Sequence, residues 1–128
     1  MNTSSLPSYG PVVLRLGVSA VYAWFGVSQL VNPTAWLGLV PDWALIGGMT
    51  ANTLVALNGT FELILATLLA TGFWVRPIAT VLAVHLFAIT THLGLSANGV
   101  RDFGLSFATL AIALNGNDQL TSKAAEKR

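Results

Sequence analysis

Residues 52–95 read NTLVALNGTFELILATLLATGFWVRPIATVLAVHLFAITTHLGL. Two apolar runs, 52–73 and 77–95, flank the turn Trp74-Val75-Arg76-Pro77. Each run is close to the roughly 20 apolar residues that cross the hydrocarbon core of a bilayer. A connection that short leaves room only for an antiparallel helical hairpin. The hairpin holds one carboxylate, Glu62, and two histidines, His85 and His92.

The same pattern extends on both sides. Toward the N-terminus, a third run spans 11–31. Gly10–Pro11 reads as its entry, since proline in the first turn gives up no hydrogen bond, and Asn32–Pro33 ends it. Toward the C-terminus, Ser96-Ala97-Asn98-Gly99 carries turn chemistry and opens a shorter run, 100–115. The sequence therefore predicts an all-α protein, a four-transmembrane-helix bundle forming one membrane domain over 1–115. Residues 116–128 read as a polar, mobile cytoplasmic tail.

Composition points the same way. The chain has 128 residues, of which 54% are hydrophobic and only 9% charged, with a mean hydropathy of +0.69. Soluble domains carry about a quarter charged residues. Four spans use roughly 80 residues, which leaves no room for a separate soluble catalytic domain. A net charge of +1 calls for no nucleic-acid partner. The absence of cysteine removes thiolate nucleophiles, thiolate metal sites and an iron–sulfur cluster of the chain's own. Arg15 lies inside the first run, and no small-residue cleavage site follows, so that run reads as a retained span rather than a signal peptide. Asn58-Gly59-Thr60 matches a glycosylation pattern but falls within a span, where glycan transfer has no access.

The stretch from Pro33 to Ala51 is apolar but holds Pro33, Pro41, Gly38, Gly47 and Gly48, which no long spanning helix tolerates. Trp36 and Trp43 suit the headgroup level. The expectation is a broken interfacial or re-entrant segment between the first two spans. Arg15, Arg76, Lys123, Lys127 and Arg128 fall on one side of the membrane and Arg101 on the other. The positive-inside rule then predicts both termini in the cytoplasm, in a bacterial inner membrane. Arg15 and Arg76, near helix ends, read as side chains snorkelling to headgroups.

Each run carries one polar stripe at helical spacing, so the polar residues should face inward. Counting 1.5 Å per residue from the turns sorts them into two layers. The middle layer holds Tyr22, Asn58, Glu62, His85 and Thr109, as candidates for a proton relay or polar pocket. The outer layer holds Gln29, His92, Arg101 and Asp102. The competing reading is structural, because polar side chains join membrane helices at about 0.6 kcal/mol per contact. Glu62 stands out, since a central carboxylate is the most expensive group to place in a span. No metal site is supplied at a recognised spacing. His85 and His92 lie about 10 Å apart along one helix, too far to ligate one haem iron together. What remains is proton handling, or binding of a small polar head such as a quinone in an apolar pocket.

Several of these residues carry a resemblance. Arg15-Leu16-Gly17, Trp24-Phe25-Gly26 with Leu30, Asn58-Gly59 with Glu62, Gly72 with Arg76, and Gly99-Val100-Arg101-Asp102-Phe103-Gly104-Leu105 together resemble the DoxX-like family of small membrane proteins. The resemblance covers the chain apart from its tails. It implies a four-helix membrane protein, and links to thiosulfate:quinone oxidoreductases and to membrane complexes with redox or detoxifying partners. Members often carry a lysine near the end of the first span, where this chain has Gln29, so a charge at that position is not carried over. The combined expectation is an accessory subunit of a quinone-linked membrane complex, not catalytic alone, with lipid and a protein partner or a second copy around it. The alternatives are a structural or assembly protein and a small oligomeric transporter or channel.

Overall fold

The computed structural model describes residues 6–121. It is built from four α-helices: α1 (Leu6–Val31), α2 (Ala51–Thr71), α3 (Val75–Leu93) and α4 (Ala97–Asn115). The predicted four-helix, all-α architecture holds, and no strand occurs among the described residues. α1 packs most closely on α2, and α3 on α4; α1–α4 and α2–α3 contacts close the bundle. The start of α1 and the residues following α4 lie at one end of it, termed here the terminal end. The α1–α2 connection and the α3–α4 turn lie at the other, the capped end.

The helices end where local chemistry stops them. Thr50 Oγ1 caps α2 by accepting from the Thr53 N–H at 3.2 Å. Gly72, at φ +81°, ends α2 in the left-handed conformation; its N–H and that of Phe73 reach back to the Leu68 and Leu69 carbonyls. The α2–α3 turn is thus centred on Gly72–Trp74. Arg76 and Pro77 already belong to the first turn of α3, where proline's missing N–H matters least.

Two other boundaries differ from the sequence expectation. α1 starts at Leu6, ahead of Gly10–Pro11, and accommodates Pro11 within its N-terminal part. Ser96-Ala97-Asn98-Gly99 is not the α3–α4 turn: Ser96 Oγ accepts from the Gly99 N–H at 3.0 Å and starts α4 at Ala97. The turn is made by Gly94, at φ +61°, and Leu95.

α1, α2 and α3 are each long and apolar enough to cross a membrane. α4 is more polar on average, but its polarity is sided. Asp102, Ser106 and Thr109 are buried, whereas Val100, Phe103, Phe107, Leu110 and Leu114 form its exposed stripe. The other helices likewise present Val13, Val27, Leu57, Ile64 and Val84 outward. A bundle that is apolar outside and keeps the polar side chains of its spans inside is an integral membrane protein in contact with lipid. Tyr22, Leu69, Leu82, Leu86 and Ile112 fill the middle of the core.

α1 and α2 meet at two glycines. A Cβ on Gly26 would stand 2.7 Å from the Gly59 carbonyl oxygen, and one on Gly59 2.9 Å from both the Gln29 Cβ and the Gly26 oxygen. This backbone-to-backbone approach fixes the register of the two helices. Gly59→Val is expected to destabilise the bundle by about 1–3 kcal/mol, read as a lower Tm in detergent. Thr60→Val, on the exposed side of the same helix, is expected to leave Tm unchanged.

The residues just beyond α4 correct the expectation of a mobile tail. Asp118 and Thr121 are buried. Asp118 Oδ1 accepts from the N–H groups of Leu120 and Thr121, while Thr121 Oγ1 accepts from the Asp118 N–H at 2.7 Å. This reciprocal cap starts a short helical turn packed under the bundle. Arg15 does not snorkel. Its Nε donates to Asp118 Oδ2 at 2.6 Å, and its Nη1 donates to the carbonyls of Leu69 and Ala70 at 3.0 and 2.6 Å. One buried guanidinium thus ties α1 to the last turn of α2 and to the segment after α4. Burial works against the charge on Asp118, but Arg15 and the two N–H donors outweigh it and hold the carboxyl below its ordinary value. Lys123, Lys127 and Arg128, used in the orientation argument, lie outside the described residues.

Candidate functional site

The Pro33–Ala51 stretch is broken, as its prolines and glycines require. It forms two short 3-10 helices, Pro33–Leu39 and Asp42–Ala44, followed by a turn at Gly47–Gly48 with φ +68° and +78°. This segment covers the capped end of the bundle. Trp36 pins it: the indole N–H donates to Ser28 Oγ at 3.0 Å, and the ring packs against Trp24 and Phe25 of α1.

Beneath the cap lies a cavity of about 360 Å³. Trp36, Leu39, Val40, Pro41 and Trp43 roof it, and Phe25, Val55, Leu86 and Ile89 supply apolar wall. Seven of the polar residues read from the sequence also line it: Gln29, Asn58, Glu62, His85, His92, Arg101 and Asp102. The two inferred layers are therefore largely one site.

Glu62 is its centre. The carboxylate is buried, and Oε2 accepts from Gln29 Nε2 at 2.9 Å. Gln29 Oε1 in turn accepts from Asn58 Nδ2 at 2.8 Å. Glu62 Oε1 faces His85 Nε2 at 3.5 Å, and that nitrogen, itself shielded from solvent, has no hydrogen-bond partner among the described residues. The His85 ring is held by Phe61, 4.8 Å away between centroids. The site thus contains a carboxylate with a steady amide donor on one oxygen and an uncommitted imidazole nitrogen beside the other.

Nearer the cap, Arg101 Nε donates to Asp102 at 2.9 Å, and its guanidinium lies 5.2 Å from the centre of the Phe25 ring. Trp43 meets the His92 ring edge-on, with centroids 6.5 Å apart. Arg101 pairs with its neighbour Asp102; among the described residues the only ionisable partner within ion-pair reach of Glu62 is His85. No three histidine, aspartate or glutamate side chains among the described residues converge closely enough to hold a metal ion.

Two candidates lie elsewhere. Tyr22 and Thr109 are fully buried and share a hydrogen bond of 3.0 Å, with the Leu82 carbonyl 3.4 Å from the tyrosine oxygen. They form a core contact among α1, α3 and α4 and do not line the cavity. Conversely, Gln29 belongs with Glu62 rather than at the level of His92. The sequence reading missed the roof: Trp36 and Trp43, seven residues apart, were the available signal.

A family model described as DoxX matches residues 10–95, which span most of α1, the cap, α2 and all of α3. The run Gly99–Leu105 lies beyond the matched region. No curated protein and no solved structure matches the chain. With well over half its length under the family model, and with the cap and the Glu62–Gln29–His85 cluster inside the matched region, the chain belongs to the DoxX family.

Proposed function

We propose that this protein is an integral membrane accessory subunit of a quinone-linked redox complex. In this reading the capped cavity receives a quinone headgroup, and Glu62 with His85 exchanges protons with it. One observation carries the proposal: Glu62 and His85, with a buried carboxylate oxygen 3.5 Å from an imidazole nitrogen that has no hydrogen-bond partner among the described residues, both line an otherwise largely apolar cavity. Such a cavity suits a ligand with a polar end and an apolar body. Two-electron reduction of a quinone to a quinol takes up two protons. A redox protein partner supplies the electrons, and the Glu62–His85 pair passes the protons. The Gln29 amide keeps the carboxylate in place while this happens. Both termini, and with them the Arg15–Asp118 contact, belong on the cytoplasmic side of a bacterial inner membrane in this proposal.

Tryptophan fluorescence tests it, because Trp36 and Trp43 form the roof. Titration of the purified protein with a short-tailed benzoquinone should quench emission saturably, and a non-quenching headgroup analogue should reverse the quenching. Quenching that only rises linearly, as for a quinone partitioning into micelles, would falsify the assignment.

A structural role is the second reading. It is favoured by the Asn58–Gln29–Glu62 chain, which joins α1 to α2 without any ligand. That reading expects Glu62→Gln to preserve both fold and cellular function.

A further inference from the structure

At the terminal end, away from the capped cavity, a second hollow of about 480 Å³ opens between the α2–α3 turn and the residues following α4. Trp74, Arg76, Asn115, Asn117 and Thr121 line it, together with Gly72, and among the described residues its lining includes no acidic side chain. Asp118, the acid next in sequence, is committed to Arg15.

Arg76 distinguishes this hollow. Of the three arginines among the described residues, Arg15 and Arg101 hold carboxylates, whereas the Arg76 guanidinium makes no hydrogen bond or ion pair among them. It is nevertheless placed. Nε, Cζ and Nη2 lie against Gly116, where any Cβ would collide with them, and Gly116 has φ +75°, which disfavours a side chain in its own right. The guanidinium therefore rests on bare backbone, with its donors uncommitted among the described residues, in a hollow that Asn115 and Asn117 also line. Arginine presents a planar fork of N–H donors that matches phosphate oxygens.

Depth identifies the source of the phosphate. Thr71, the last residue of one span, and Val75, the first of the next, bracket the hollow. Trp74 is 66% exposed there and stacks on Phe73, as a side chain does at the headgroup level. The hollow thus stands at the membrane boundary, open to lipid.

From these observations we propose that the Arg76 hollow binds the phosphate of an anionic phospholipid headgroup. The lipid comes from the leaflet on the side of the chain termini. Arg76 supplies the charge, and Asn115 and Asn117 supply amide donors. The site is independent of the capped cavity and of any redox role.

The test uses the full chain in nanodiscs of equal parts phosphatidylglycerol and phosphatidylcholine, released into the gas phase for native mass spectrometry. Wild type is expected to retain phosphatidylglycerol over phosphatidylcholine, and Arg76→Gln to lose at least fivefold of that retention with unchanged helical circular dichroism. Asn117→Asp, which places an anion in the hollow, should lose it as well. Equal retention of the two lipids by wild type, or undiminished retention by Arg76→Gln, overturns the proposal. A separate arm titrates inorganic phosphate into lipid-free protein in detergent, observed by phosphorus NMR. Broadening at millimolar phosphate that Arg76→Gln removes would assign the site to free phosphate and overturn the lipid source. No broadening supports the lipid.

Discussion

Arg15→Gln should lower the stability of the folded bundle by about 3–5 kcal/mol, the usual consequence of removing one partner from a buried ion pair. The size follows from what is left behind. Asp118, buried and charged, would lose its guanidinium, and the Leu69 and Ala70 carbonyls at the end of α2 would lose their donor. Three separate pieces of chain would come apart at one point. Asp118→Ala should cost a similar amount, since it strands Arg15 and removes the cap on the short turn that follows α4. Thermal unfolding in detergent, followed by circular dichroism, measures both. The double variant should lose much less than the sum, because each single change already breaks the same contact. Additive losses would mean that the two residues act separately.

The same contact sets a pH dependence. The carboxyl of Asp118 is held below its ordinary value of 3.8 in the folded protein. A group depressed on folding contributes stability that is fully present above its unfolded value and is lost as pH falls through the folded one. The part of Tm that Asp118 supplies should therefore be constant from neutral pH down to about pH 5 and fall below about pH 4. In Asp118→Asn the fall should be shallower. An identical acid limb in wild type and variant would remove Asp118 from the explanation.

None of this clasp was readable as a contact. Arg15 and Asp118 are separated by 103 positions, and Asp118 sits in a segment whose polarity suggests an unpacked tail. A local signal existed: Gly116 stops α4, and Asp118 with Thr121 is the spacing of a helix cap. That pattern predicts a new helical turn, but not what it packs against. The four helices were legible because membrane thickness, proline, glycine and capping residues act locally. The inward polar stripes were legible because lipid punishes the alternative.

Depth was less legible. Counting from the end of α1 sets Tyr22 level with Glu62. The structure instead brings Gln29 to Glu62; Tyr22 stays with Thr109, as the middle layer has it, but away from Glu62 and the cavity. The reason is the glycine crossing. Gly26 lies against Gly59 and Leu63, so α2 projects about a turn past α1 at the capped end. The cap, with its own folded structure, spans the offset. A ruler based on turn positions works across the tight α2–α3 turn, where it sets Glu62 near His85; it misplaces Thr109 because the α3–α4 turn lies at Gly94–Leu95, and it fails across a long connection whose ends need not be level.

Glu62 should dominate binding in the capped cavity. Glu62→Ala is expected to weaken a short-tailed benzoquinone by about 10–100-fold, the equivalent of one hydrogen bond to a charged group. It would also leave the Gln29 amide without its acceptor. Glu62→Gln is the more informative change. An amide keeps the shape of the carboxyl group and can accept from Gln29, so the fold should be kept. What it cannot do is exchange a proton. Calorimetry in two buffers of different ionisation enthalpy separates these roles. In wild type the binding enthalpy should change with the buffer, because protons move between Glu62–His85 and solvent as the ligand enters. In Glu62→Gln binding should persist with an enthalpy independent of buffer. His85→Gln should show the same loss of buffer dependence, since its Nε2 is the group beside Glu62 Oε1. If Glu62→Gln binds as wild type does with the buffer dependence intact, the proton-handling role fails. The carboxylate is then a helix-joining group, as the hydrogen-bonded chain from Asn58 through Gln29 permits.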